Sequence, residues 1–134
     1  MEFKEFDYNK YFEEIKKIFK SANWSAYLKD DEKLKIAFKN SLYLLGAFEN
    51  DKLIAFIRCV GDGEHILLIQ DLIVDSNYYR QGIGTKLFKY VSDKYKDVRT
   101  FCLFTDIHDI RDNEFYKSMK MVRIEEKDMI SYIR

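Results

Sequence analysis

Between residues 8 and 19, Tyr8, Tyr11, Phe12, Ile15, Ile18 and Phe19 recur at spacings of three and four. That period lines apolar side chains along one face of an α-helix, and Glu13, Glu14, Lys16, Lys17 and Lys20 fall on the other face. Asp7 stands where an N-cap would. A second helix is predicted over 31–39, with Leu34, Ala37 and Phe38 inward, and 21–27 reads as the loop between the two. The pattern then changes from helical to extended. Residues 42–48, 53–60 and 65–74 are rich in β-branched and aromatic side chains. Glu49-Asn50-Asp51-Lys52 and Gly61-Asp62-Gly63-Glu64 divide them, which predicts an antiparallel meander, and 2–6 reads as a further short strand. Ile83, Leu87, Phe88, Val91 and Tyr95 form the stripe of a helix over 82–95. The strand–helix–strand order makes the next strand, 99–104, parallel to 65–74. A short helix at 113–119 and closing strands at 121–125 and 129–133 complete the expectation.

The fold class predicted from this order is α/β (α+β), a mixed and mostly antiparallel sheet of six or seven strands flanked by about four helices. With 134 residues, no proline, no Gly/Ser linker and no internal repeat, a single domain over 1–134 is the simplest organisation. Lys+Arg and Asp+Glu both number 23, and this balance argues against a nucleic-acid binder built on phosphate contacts. No apolar run approaches the ~18 residues of a membrane span. The opening Met1-Glu2-Phe3-Lys4-Glu5 is unlike a secretion signal. Cys59 and Cys102, far apart in apolar surroundings, read as reduced packing residues, so a cytoplasmic location is expected.

The chemically informative stretch runs from Gln70 to Leu87. A hydrophobic strand passes through a loop into a helix that opens on Gly82-Ile83-Gly84. The first turn of a helix has unpaired N–H groups and a positive dipole end, so it can hold a phosphate, and the glycines let backbone approach the anion. Arg80 and Lys86 add charge nearby. Two other phosphate motifs fail on spacing. A dinucleotide fingerprint needs a third glycine where Leu87 stands, and a P-loop needs Gly-Lys-Ser/Thr where the chain reads Gly84-Thr85-Lys86.

Tyr78-Tyr79-Arg80-Gln81-Gly82-Ile83-Gly84-Thr85-Lys86-Leu87 resembles the pyrophosphate-binding motif of the GNAT N-acetyltransferases, Gln/Arg-x-x-Gly-x-Gly/Ala. The likeness continues through Asp71-Leu72-Ile73-Val74 and Phe115-Tyr116-Lys117. Asn40-Ser41-Leu42, 58–63 and Gln70-Asp71 are also similar to a small bacterial arylalkylamine N-acetyltransferase-like subgroup. Two positions depart from the family: Tyr79 stands in place of Gln or Arg, and Lys120-Met121 in place of Gly-Phe. What the resemblance implies is acetyl-CoA (coenzyme A) as cofactor. Its pantetheine would pair with backbone of Leu72, Ile73 and Val74, and its pyrophosphate would sit on Arg80, Gln81, Gly82, Ile83, Gly84 and Thr85. The resemblance further implies direct attack of a small-molecule primary amine on the thioester, with Tyr116 as acid for the leaving thiolate and a homodimer as the usual assembly.

For the base, Asp71 is the first candidate, because a carboxylate inside an apolar strand needs a reason. A structural carboxylate is the competing account, and Glu64 and His65 come next. Alternation puts Asp71, Ile73 and Asp75 on one face and Gln70, Leu72 and Val74 on the other. Trp24 and Tyr27 suit the acceptor pocket or, equally, the core. His108 reads as a solvated loop residue, and the two histidines with scattered carboxylates make no metal signature. Two other functions stay open: a peptide or protein amine acetyltransferase, and a non-catalytic acyl-CoA-binding sensor.

Overall fold

Asn50 and Asp51 both take positive φ, 50° and 61°. Two such residues make the turn whose twist matches a hairpin, and Glu49 faces Lys52 across β2 (Tyr43–Glu49) and β3 (Lys52–Gly61). The next hairpin, from β3 to β4 (Ile66–Val74), is built by one carboxylate. Asp62 Oδ1 accepts from the backbone N–H groups of Glu64, His65 and Ile66 at 2.8, 2.7 and 3.1 Å. Those bonds hold its carboxyl below the usual value. Gly61 at φ 126° leads into this turn, where a Cβ would lie 2.4 Å from the Ile66 carbonyl oxygen, so no larger residue fits.

The computed structural model describes residues 1–134, in two compact units, Met1–Leu103 and Phe104–Arg134. The first holds a five-stranded sheet in the order β1-β2-β3-β4-β5, with β1 (Glu2–Glu5) and β5 (Thr100–Leu103) at its edges. The first three pairings are antiparallel, and β4–β5 is parallel, as the strand–helix–strand order predicts. On one face, Phe48, Leu53, Phe56 and Ile73 pack against Phe12, Ile15, Ile18 and Phe19 of α1 (Phe12–Ser21) and Leu34 and Phe38 of α2 (Asp31–Lys39). The alternate residues Ala47, Ile57 and Cys59 point the other way, toward the side where Tyr90 of α3 (Ile83–Lys94) stacks on Phe3, 5.6 Å between centroids. The sheet residues named from β2, β3 and β4 are buried almost completely on both faces, whereas Tyr90 is exposed.

The second unit contains α4 (Ile110–Ser118) and a 3₁₀ turn, Ile124–Lys127, and none of its residues is fully buried. Asp109 caps α4 by accepting from Asp112 N–H at 2.9 Å. The helix ends with Met121 N–H on Tyr116 O and Lys120 N–H on Lys117 O, and Lys120 at φ 64°. This is the Schellman pattern, with lysine in the left-handed position that glycine usually takes.

Two expectations need correction. The sheet has five strands, not six or seven, because the closing strands at 121–125 and 129–133 do not form. Instead Arg123 N–H bonds to Glu126 Oε2 at 3.2 Å and Glu126 N–H returns to Arg123 O at 3.0 Å, so local bonds close a turn. Apolar alternation makes a strand only where a neighbour takes its backbone groups. Asp7 does not cap α1 either. Its carboxylate accepts from Asn9 N–H at 2.9 Å in a turn ahead of the helix, which begins at Phe12 with no side-chain cap.

Candidate active site

A lone acid inside an apolar strand must find a cation or lose its charge, because burial alone costs a carboxylate several kcal/mol. Asp71 finds Arg58. The side chains are 0% and 4% exposed, and Arg58 Nε donates to Asp71 Oδ2 at 2.6 Å. Burial pushes the Asp71 carboxyl up, and Arg58 opposes the rise. Arg58 Nη1 continues to Ala37 O at 3.3 Å and Ser41 Oγ at 3.2 Å, and its guanidinium lies 4.9 Å from the centre of the Phe38 ring. The pair therefore binds β3 and β4 to the C-terminal end of α2, where a cation suits the helix dipole. Asp71 Oδ1 is buried with no hydrogen-bond partner.

The register beside this pair is irregular. Arg58 faces Asp71 while Cys59 faces Ile69, which leaves Gln70 without a cross-strand partner. A bulge of this kind resets the alternation. Asp71 and Ile73 face α1 and α2, whereas Ile69 lies opposite Cys59 on the other face. The exposed Gln70 side chain donates through Nε2 to Tyr27 Oη at 3.1 Å. Tyr27 sits in a 3₁₀ turn, Ser25–Leu28, with its ring stacked on Phe19 at 4.5 Å. Burial and then the Asp71 carboxylate raise its phenol. Trp24 stacks on Phe19 as well, at 5.9 Å. It is placed there by the Schellman ending of α1, in which Trp24 N–H bonds to Phe19 O and Asn23 takes φ 62°. Tyr27 is thus bonded to Gln70, next in sequence to Asp71, with the Trp24 ring stacked beside it at 6.2 Å; the rings of Phe19, Tyr27 and Trp24 are also anchored in the core.

Pairing of β4 with β5 covers Ile66 to Ile69 and stops there. From the bulge onward, β4 has β3 on one side and no strand on the other. Its outer edge over Leu72, Ile73 and Val74 is therefore open to an extended ligand. The chain then turns through Ser76–Tyr78, capped by Asp75, and Arg80 takes φ 65°. Gly82 is the N-cap of α3 at φ 73°, with no side-chain cap on the first turn and nothing within 4 Å of where a Cβ would stand. The N–H groups of Ile83, Gly84 and Thr85 thus lie in that uncapped first turn, with Arg80 and Gln81 exposed beside them. Open space, free amides and a dipole end fit an anionic group such as a pyrophosphate.

In the second unit, Tyr116 is half-buried, with Phe115 edge-on at 5.1 Å. Its phenol is pushed well up, first by burial and then by the Asp112 and Asp109 carboxylates. His65 and His108 are exposed, and so is Glu64. Sequence reasoning missed Arg58 and Gln70 as parts of the site. The signal for Arg58 was a cation in an apolar strand one hairpin away from Asp71; the bulge that selects Gln70 leaves no mark in composition.

A split sheet edge running into a glycine-capped helix is the arrangement of a transferase that takes an extended, pyrophosphate-bearing cofactor. The chain matches the Acetyltransferase (GNAT) family over residues 8–121 and belongs to that family. It is similar to a GNAT-family acetyltransferase of Streptococcus pneumoniae TIGR4, with 28% identity, 99% of this chain and 94% of that one covered, and a TM-score of 0.82. The fold is also that of an aminoglycoside acetyltransferase from an uncultured soil metagenomic sample, solved with sisomicin (20% identity, 99% and 91% covered, TM-score 0.69). A third similar structure is the PaiA N-acetyltransferase of Thermoplasma acidophilum in complex with coenzyme A (17% identity, 88% and 87% covered, TM-score 0.64). No curated protein matches the chain. No helix is long and apolar enough to cross a membrane.

Proposed function

We propose that this chain, as one acetyltransferase domain, moves the acetyl group of acetyl-CoA to a primary amine of a small molecule by direct attack. The observation that carries the reading is the departure of β5 from β4 at Ile69, just before the Gly82-capped helix. Leu72, Ile73 and Val74 offer a free backbone edge to the pantetheine arm, and the amides of Gly82, Ile83, Gly84 and Thr85, with Arg80 and Gln81, hold the pyrophosphate. When bound, the cofactor supplies the activated acetyl thioester. A backbone N–H of the free edge would polarise its carbonyl, where negative charge grows in the transition state. Trp24 and Tyr27 line the acceptor side, and their stacked rings suit an aromatic or cationic amine, the arylalkylamine class included.

Tyr116 takes the acid role that the resemblance assigns. A phenol raised by burial keeps its proton at neutral pH. A thiol ionises near pH ~8.5, below even an ordinary phenol at ~10, so full transfer to the thiolate is uphill. Such a phenol serves a thiolate mainly as a hydrogen-bond donor, which is the form of the acid role that the resemblance gives Tyr116. Asp71 is too deeply buried to touch an amine, so any part it takes in proton removal is indirect. The test is thiol release from acetyl-CoA against tryptamine, phenylethylamine, spermidine, aminoglycosides, free amino acids and a lysine peptide, with calorimetric titration of acetyl-CoA alongside. Turnover on a small amine is the expected result. Turnover on the peptide alone moves the acceptor to proteins, binding without turnover identifies a sensor, and absence of binding refutes the reading.

A further inference from the structure

Asp71 poses a chemical question that the fold does not answer. One oxygen is neutralised by Arg58, yet the other, Oδ1, is buried with no donor at all. Gln70 Nε2 can only donate, so its 3.1 Å bond occupies a lone pair of Tyr27 Oη and turns the phenolic hydrogen away from Gln70. That hydrogen needs an acceptor, and Oδ1 is an acceptor without a donor. Beside burial, the Asp71 carboxylate raises the Tyr27 phenol, and Tyr27 in turn holds the Asp71 carboxyl down against burial, as a hydroxyl turned toward that carboxylate does. The exposed side of this arrangement is the bulge residue Gln70, at the point where β4 becomes an open edge.

We propose that Tyr27 is a catalytic residue: its hydroxyl takes the proton of the acceptor ammonium and passes its own to Asp71 Oδ1, with Gln70 and Arg58 as positioning residues. The inference rests on the amine-acetylation reading above. As the ammonium N–H bond breaks, a new O–H forms on Tyr27, and the former Tyr27 proton forms O–H on Asp71. Asp71 becomes a neutral carboxylic acid, Arg58 keeps its charge, and the freed nitrogen lone pair attacks the thioester carbon; as the C–S bond breaks, a second proton leaves the nitrogen for the departing thiolate, giving the amide and the free thiol. After product leaves, the proton returns through Tyr27 to water. Burial that raises the Asp71 carboxyl favours its acceptance of a proton. The groups facing Asp71 are Arg58 from β3 and Tyr27 from the α1–α2 connection, with the Cys59 thiol adjacent in sequence to Arg58.

The test is Tyr27→Phe, which keeps the ring stacked on Phe19 and removes only the hydroxyl. Thiol release is measured with an alkylamine, protonated at neutral pH, and with an aniline, which is the neutral free base there. For the alkylamine kcat should fall about 10²-fold, the range of general-base catalysis. The KM for acetyl-CoA should stay unchanged, the melting temperature should fall by only a few degrees as Asp71 Oδ1 loses its donor, and the loss in kcat should shrink as pH rises toward the amine's own value. For the unprotonated nitrogen the loss should be less than about threefold. Gln70→Ala should cost roughly tenfold in kcat on the alkylamine alone. A loss below twofold, or equal losses on both acceptor classes, overturns the relay while amine acetylation stands. If the wild-type chain acetylates no amine, the relay falls together with the reading it rests on.

Discussion

Replacing Arg58 by Met removes the cation and leaves the Asp71 carboxylate buried. Two unit charges ~4 Å apart interact by about 4 kcal/mol at an effective dielectric of ~20, and breaking one side of a buried pair costs about 3–5 kcal/mol. The pair here is at the severe end of that description, with side chains 4% and 0% exposed and a 2.6 Å contact. The other lost contacts are cheap, since Ser41 Oγ still donates to Ala37 O at 3.0 Å. Arg58→Met should therefore lose about 3–5 kcal/mol at pH 7, or about 10–20 °C in Tm. The pH dependence follows from the direction of the shift. Burial already raises the Asp71 carboxyl and Arg58 restrains it, so removing Arg58 raises it further. The folded state then keeps a proton that the unfolded chain has lost, so stability falls as pH rises between the unfolded and folded values. The deficit should accordingly shrink by roughly 1 kcal/mol or more between pH 7.5 and pH 5. Urea unfolding followed by far-UV circular dichroism at both pH values measures this. The double variant Arg58→Met/Asp71→Leu should recover to within about 1.5 kcal/mol of the wild type, because no orphaned charge remains. A single-variant loss under about 1 kcal/mol, or a double variant as unstable as the sum of the two singles, would refute the coupling.

Gly82→Ala should lose about 1–2 kcal/mol from left-handed strain alone, since nothing within 4 Å opposes the new methyl. Acetyl-CoA affinity should drop about tenfold by calorimetry, the equivalent of ~1.4 kcal/mol. Lys120→Gly should stabilise by about 1 kcal/mol in the same denaturation assay, by relieving the φ of 64° at the end of α4. Burial pushes the Cys59 thiol up to about 12, so only Cys102 should react with a thiol reagent in the native protein at pH 8, and Cys59 only after unfolding. Because the folded state retains that proton as the unfolded thiol ionises, stability should fall by up to ~1.4 kcal/mol per pH unit above pH ~9, read as a declining Tm.

Much of the architecture is legible from local pattern. α2 spans the predicted residues, with Asp30 as a true cap accepting from Lys33 N–H. The three-strand meander, its two turns and the helix after Gly82 stand where periodicity and turn chemistry place them. These elements are set by contacts a few residues apart, which a sequence displays directly. The closing strands at 121–125 and 129–133 show the opposite case. Their alternation is real, but a strand exists only with a partner, and Glu126 completes a local turn first.

The site divides along the same line. The cofactor segment is contiguous, so Gly82, its helix and the strand ahead of it could be read from one stretch of chain. Within 71–75 the predicted facing holds, because alternation is a local property. Three features were decided only by tertiary structure: the Arg58 partner of Asp71, the bulge that singles out Gln70, and the approach of Tyr27. Each depends on register between segments distant in sequence, as in the separations of 13 and 43 for the Arg58–Asp71 and Tyr27–Gln70 bonds. The sequence by itself determined that an acid would lie inside β4, ahead of a helix that opens on glycine. Only the packed sheet decided which cation would neutralise one of its oxygens and which phenol would bond to the neighbouring Gln70, because a one-residue change of register reverses what every side chain faces.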